Sequence, residues 1–209
     1  MNTPEDTPAA LVFKPRTSKW FTLIAFVLVG MGLVSLAATE GPAGLLGAWP
    51  LLAVAYGAWW LFWYPTVVVD RTAVTLRNPL ATISVPWAAL VHVDTKYALQ
   101  LVTPRRSYSA WAAPAPGVWG THAGKVEHLT NLPASSYGPG ASVRPGDLKH
   151  TDSGYAAFLV RSRWESMIDS GELDVDQTDS ARVTRRVNWI LIVPALVLLG
   201  ASVASQGTG

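Results

Sequence analysis

"VVVDRTAVTLRNPLATISVPWAALVHVD", residues 67–94, decides how the middle of this chain folds. The β-branched run Val67-Val68-Val69 stops at Asp70-Arg71, a turn pair, and "TAVTLRN" then sets Thr72, Ala73 and Thr75 against Val74 and Leu76. Asn78-Pro79 breaks the run before "ATISVPW" and "LVHVD" repeat it. Short β-branched segments punctuated by Asp, Asn and Pro predict strand, turn, strand. Successive side chains of a strand point to opposite faces, so Val91 and Val93 are expected on the core side and His92 and Asp94 on the solvent side. Downstream, "YALQLVT" and "SYSAWA" continue the series across Asp94-Thr95-Lys96 and Pro104-Arg105-Arg106. An antiparallel meander that curls into a small barrel or sandwich is expected.

Further along, 112–152 is dense in Gly, Pro, Ala and Ser and predicts a flexible insertion, too long for an ordinary connection. Helical periodicity then appears in "SGYAAFLVRSRWESMIDSGELD". Ser153 is the expected N-cap, Tyr155, Phe158, Leu159, Trp164 and Ile168 the expected buried face, and Ser170-Gly171 the expected stop. The domain thus spans 65–174, strands first and one C-terminal helix last, and a hydrophilic linker follows at 175–186.

Outside that domain the chain changes character. It is 50% hydrophobic with only 14% charged residues, where a soluble domain carries roughly 25%. The deficit is concentrated in 20–38, 45–63 and 187–203, which contain no Asp, Glu, Lys, Arg or His. Each approaches the roughly 20 apolar residues that a helix needs to cross a hydrocarbon core. Three transmembrane helices are expected, the first two forming a hairpin across "TEGPAG", with Pro50 in the first turns of the second and Pro194 a candidate kink in the third. Ala53 and Gly57, four apart, offer a place for a neighbouring helix to come close.

Lys14, Arg16 and Lys19 precede the first span and the other thirteen Lys and Arg lie between Pro65 and Arg186. Cationic flanks stay on the cytoplasmic side. The tail 1–19 and the central domain are therefore expected in the cytoplasm and the C-terminus outside, in a plasma (inner) membrane. Trp20, Trp60, Trp63, Tyr64 and Trp189 fall at the expected cytoplasmic ends, where amphipathic rings prefer the headgroup layer.

Chemistry-bearing patterns are few. With no cysteine there are no disulfides and no thiolate metal ligands. His122 and His128 lie in the insertion without a helix to set their spacing, and "DVDQTD" (Asp174, Asp176, Asp179) lacks the Gly and Glu of a calcium loop. His92, Asp94 and Ser109 are three common residues without a nucleophile elbow. No phosphate loop or dinucleotide fingerprint is present. An enzyme is not expected, nor a cofactor, a metal or a nucleic-acid partner.

The cations are the better lead. Arg105-Arg106 occupy a hairpin tip, Arg71 a turn, and Arg182, Arg185 and Arg186 flank the third span, where each gains roughly 1 kcal/mol beside an anionic leaflet. These six are the expected contacts for anionic lipid headgroups or a protein partner. The fixing of topology accounts equally for Arg182, Arg185 and Arg186.

"VVVDRTAVTLRNPL", "VPWAALVHVD", "SAWAAP" and "LVRSRWESMIDSGELD" together resemble the bacterial PH-domain family that includes the mycobacterial low molecular weight protein antigen, in the form carried by actinobacterial membrane proteins. The resemblance covers 65–174 apart from the insertion, and "RNPL…VPW" is its most specific part. It implies a PH-like α+β domain held under a membrane. Phosphoinositide-binding relatives of the fold carry several Lys and Arg in the first strand-to-strand loop. Here that loop has Arg71 alone beside Asp70, which argues against headgroup recognition of that kind. The expected protein is a three-span membrane protein presenting a cytosolic PH-like binding module to an unknown protein partner, with a weak anionic-lipid-responsive regulator as the alternative and a transporter subunit as the remote one.

Overall fold

A computed structural model describes residues 10–116, 132–137, 143–173 and 181–206. Its elements run β1 (Leu11–Phe13), α1 (Arg16–Glu40), α2 (Trp49–Ala58), β2 (Thr66–Val69), β3 (Ala73–Arg77), β4 (Ala81–Pro86), β5 (His92–Asp94), β6 (Ala98–Val102), β7 (Ser107–Pro114), α3 (Asp152–Asp169), β8 (Thr184–Val187) and α4 (Trp189–Gln206). The chain divides into two compact units, one comprising Met1–Lys14, Thr66–Arg77 and Ile83–Arg185, the other Pro15–Pro65, Asn78–Thr82 and Arg186–Gly209.

In the first unit the expected meander forms, but as two sheets and not as one closed barrel. One sheet has the order β1-β2-β3-β4-β8 and the other β5-β6-β7. The break falls where Pro86 ends β4 and Trp87–Ala89 winds into a 3-10 turn, because proline cannot donate to a ladder. That turn also resets the alternation. Leu90 takes the core position, Val93 is buried, and Val91, expected beside it, is 44% exposed.

Elsewhere the period of two holds. Val74 and Leu76 of β3, Ile83 and Val85 of β4, and Leu99 and Leu101 of β6 are all buried in one cluster, each side chain contributing about 1.5–3 kcal/mol. Two strands escaped the sequence reading. β1 lies within the expected tail and pairs antiparallel with β2, Leu11 opposite Val69 and Phe13 opposite Val67. β8 forms the end of the expected linker.

Helix α3 packs part of the expected face, Leu159 and Trp164 lying against the core, but its most buried line is another. Ser153, Gly154, Ala156, Ala157, Val160, Arg161 and Met167 are buried, whereas Tyr155 and Ile168 are 42% and 37% exposed. Small residues let the helix backbone come close to the sheets, and that proximity outweighs the larger area of the aromatic stripe. Tyr155 packs on Phe13 of β1 at 6.1 Å between ring centroids. The cap is Thr151 rather than Ser153, its Oγ1 accepting from Gly154 N at 3.0 Å. Gly171, at φ +71°, ends the helix where only glycine adopts that backbone without strain.

A Cβ at Gly154 would run into the backbone carbonyl of Leu148. Gly154→Ala is therefore expected to destabilise the fold by about 3 kcal/mol, by forcing the cap away from the preceding turn. Thermal melting of the purified protein reads this directly, and an unchanged melting temperature would refute it.

The second unit contains two helices long and apolar enough to cross a membrane, Ser18–Glu40 and Trp189–Gln206, with mean hydropathies of 2.4 and 1.9. The expected second span is built differently. A 3-10 helix, Pro42–Gly47, leads into the ten residues of α2, and Trp59–Trp63 follow as a π-helical turn. Pro42 and Pro50 stand in the first turns of their helices, where a missing N–H does least harm. α2 packs against both α1 and α4. The close approach is at Gly32, whose Cβ position lies 3.1 Å from Leu51 Cδ2, while Gly57 has nothing near it. Tyr56 Oη donates to Leu191 O at 2.8 Å. α4 runs through Pro194 without interruption.

Candidate functional site

The sequence hides one strongly polar feature in the first unit, and α3 carries it. Arg161 is 4% exposed, pointing between β5 and two short turns of the segment read as an insertion. Its Nη1 donates to Asp147 Oδ1 at 2.6 Å and to Ser136 Oγ at 3.0 Å, and its Nη2 donates to Val93 O at 2.8 Å. Asp147, also 4% exposed, accepts a further bond from Thr95 Oγ1 at 2.8 Å. A buried ion pair is tolerable only when such bonds replace the lost water.

The turns Ala134–Ser136 and Pro145–Asp147 are thus fastened to the core. Gly146 passes so close to Thr95 O that a Cβ there would overlap it, and Ser153 Oγ donates to Gly146 O at 2.8 Å. The expected flexible insertion is corrected to this extent: 112–114 complete β7, and 132–137 and 143–152 have defined structure. Residues 117–131, with His122 and His128, and 138–142 lie outside the described residues, as do Asp174, Asp176 and Asp179.

Arg161 forms the floor of a cleft of about 570 Å³ lined also by His92, Val93, Asp94, Ser135, Ser136, Tyr137, Arg144, Asp147 and Trp164. At its mouth Arg144 Nη1 meets Asp94 Oδ1 at 2.7 Å, with the arginine side chain 66% exposed. Two ion pairs leave the walls close to electrically neutral. Two buried donors, Arg161 Nε and Trp164 Nε1, have no hydrogen-bond partner among the described residues. Buried N–H groups of this kind are rare and call for an acceptor. With its charges paired across its own walls, the cleft suits a ligand of little net charge.

His92 and Asp94 line this cleft, but Ser109 does not. Asp94 pairs with Gln100 and Gln100 with Ser109, which sets Ser109 a full strand beyond, about 10 Å from Asp94 at ordinary strand spacing. A hydrolytic triad is not assembled from these three. Among the described residues no group of three or more His, Asp and Glu converges as a metal would need.

The six expected arginines are exposed and lie on three segments. Arg71 is in the β2–β3 turn, where its N–H donates to Asp70 Oδ1 at 2.7 Å. Arg105 and Arg106 form the β6–β7 tip, closed by Thr103 Oγ1 donating to Arg106 O at 2.7 Å. Arg182 precedes β8, and Arg185 and Arg186 are in it. Two separate sheets carry the two tips.

In comparison with known proteins, residues 64–135 match the family described as Bacterial PH domain. The chain carries a bacterial PH domain. The match opens just before β2, takes in both sheets except β1 and β8, and ends in the turn that holds Ser136, so α3 and Arg161 follow it. PH domains are in general non-catalytic modules that bind lipids or proteins. No curated protein and no solved structure matches the chain.

The sequence reading missed Arg161, Asp147 and Arg144. A cation amid the small residues of a helix otherwise packed on a core was the available signal, because an arginine there must find a carboxylate.

Proposed function

We propose that this protein is a three-span membrane protein whose bacterial PH domain docks a protein partner at the cytoplasmic face, in the cleft floored by Arg161. The cleft whose own charges are already paired carries the docking reading, since a peptide backbone offers neutral polar groups throughout its length. The membrane reading draws on α1 and α4, whose apolar side chains face outward, Val34 at 71% and Ile190 at 87% exposure. Solvating such a surface with water is unfavourable, and lipid is its natural surroundings.

The pairing of β1 with β2 favours three spans over two. Strands that share a ladder lie on one side of any bilayer, so the chain between Phe13 and Thr66 crosses an even number of times. If α1 crosses, the segment from Pro42 to Trp63 crosses back. The cation distribution supports a cytoplasmic location for that shared side.

A photo-crosslinking residue in place of Tyr137, in the native membrane, is expected to give one discrete protein adduct. The same residue in place of Arg105 should not give it. Lipid adducts at Arg71 and Arg105 with no protein adduct at Tyr137 would favour the alternative, an anionic-lipid-responsive regulator working through the hairpin-tip arginines.

A further inference from the structure

Hairpin tips are commonly polar and leave most of their carbonyls to water. The β3–β4 turn is built otherwise. Its three consecutive carbonyls all accept bonds from the segments that adjoin the apolar helices. Asn188 Nδ2 donates to Asn78 O at 2.8 Å, Trp60 Nε1 donates to Pro79 O at 3.1 Å, and Asn188 N donates to Leu80 O at 3.0 Å. Asn188 Oδ1 in turn accepts from Thr82 Oγ1 at 3.0 Å. Asn188 is the single residue between β8 and α4, and Trp60 belongs to the π-helical turn after α2.

At the centre of this turn stand Leu80, 60% exposed, and Pro79, which has no N–H to satisfy. Trp189 and Ile190, next along from Asn188, are 64% and 87% exposed. The turn belongs to the same compact unit as the apolar helices. Backbone carbonyls enter a water-poor layer only when protein donors satisfy them, and here they are satisfied while a large apolar side chain is left outside.

The geometry points to the Asn78–Leu80 turn as a lipid-contacting element, with Leu80 seated at the headgroup–acyl boundary beside Trp189 and Asn188 serving as the clasp that keeps the carbonyls dry. The occupant is the bilayer that holds α4, a choice that rests on the membrane reading above. Continuity with α2 and α4 is what selects lipid over a protein.

The chain has no cysteine, so Leu80→Cys, Arg105→Cys and Leu196→Cys each give a single labelling site in the full-length protein. Each is labelled with nitrobenzoxadiazole in vesicles of phosphatidylethanolamine and phosphatidylglycerol, then quenched by aqueous iodide or by spin-labelled lipid. Iodide quenching at Leu80 is expected to be about fivefold weaker than at Arg105, with quenching strongest from a shallow spin label, as befits a side chain in the boundary layer. Adding Asn188→Ala should restore iodide access at Leu80 and leave Leu196 unchanged. Iodide access at Leu80 equal to that at Arg105, with Leu196 quenched by lipid, would overturn this inference alone. Iodide access at Leu196 as well would overturn the membrane reading and the inference together, and an Asn188→Ala variant without effect would overturn the clasp.

Discussion

Arg161→Met is expected to destabilise the PH domain by about 3–5 kcal/mol, because it leaves the Asp147 carboxylate buried with Thr95 as its remaining side-chain partner. Methionine keeps most of the volume, so the loss is electrostatic rather than a cavity. Asp147→Leu should cost a similar amount by stranding the guanidinium. The double variant is the informative one. With both charges gone the penalty of an unpaired ion disappears, and the combined loss is expected to be about 2 kcal/mol or less, well under the sum of the two single losses. Thermal or denaturant melting of the purified protein measures all three. Additive losses would show that Arg161 and Asp147 do not act as a pair. Because Arg161 also holds Ser136 and Val93 O, the single variants should in addition expose the 132–137 segment to protease before the sheets unfold.

Trp87→Ala should be equally severe, at about 3–5 kcal/mol. Trp87 is 2% exposed and packs in the central cluster. Its indole Nε1 donates to Asp70 O at 2.9 Å, tying the break between the two sheets to the β2–β3 turn. Trp87→Phe separates the contributions. The ring still fills most of the space, and the remaining loss of about 1–3 kcal/mol reports the stranded carbonyl and the missing half of the indole. If Phe proves as damaging as Ala, ring volume is irrelevant and Trp87 does not stabilise the domain by filling its core.

These two residues also mark what the sequence discloses and what it conceals. Trp87 sits in a local pattern, "VPW", where proline, aromatic and alternation all lie within a few positions, and the strands from β2 to β7 were legible for the same reason. Arg161 and Asp147 were not, since nothing local requires either to be buried. Their pairing is created by tertiary folding, which brings a helix against a turn fourteen residues away and both against β5. β1 was hidden in a similar way. Three residues between a Pro-rich start and Lys14 carry no recognisable period, and they become a strand because β2 offers an edge. Helix α3 was legible in length but only partly in orientation: Leu159 and Trp164 do meet the core, yet Ala156 and Ala157 are buried in preference to Tyr155. Bulk is visible in a sequence, whereas the closeness of two backbones is not.

The strand order β1-β2-β3-β4-β8 has a consequence for the timing of synthesis. The outermost strands of one sheet, Leu11–Phe13 and Thr184–Val187, are the first and last strands among the described residues. During translation β1 leaves the ribosome before its partner exists, and α1 and α2 must be made before β2 arrives. At about 5–20 residues per second, the open edge of β4 then waits several seconds more for β8. A nascent chain halted before β8 should therefore carry a formed core with one unsealed edge, which is the interval in which chaperone binding or mispairing with a second copy has its best opportunity.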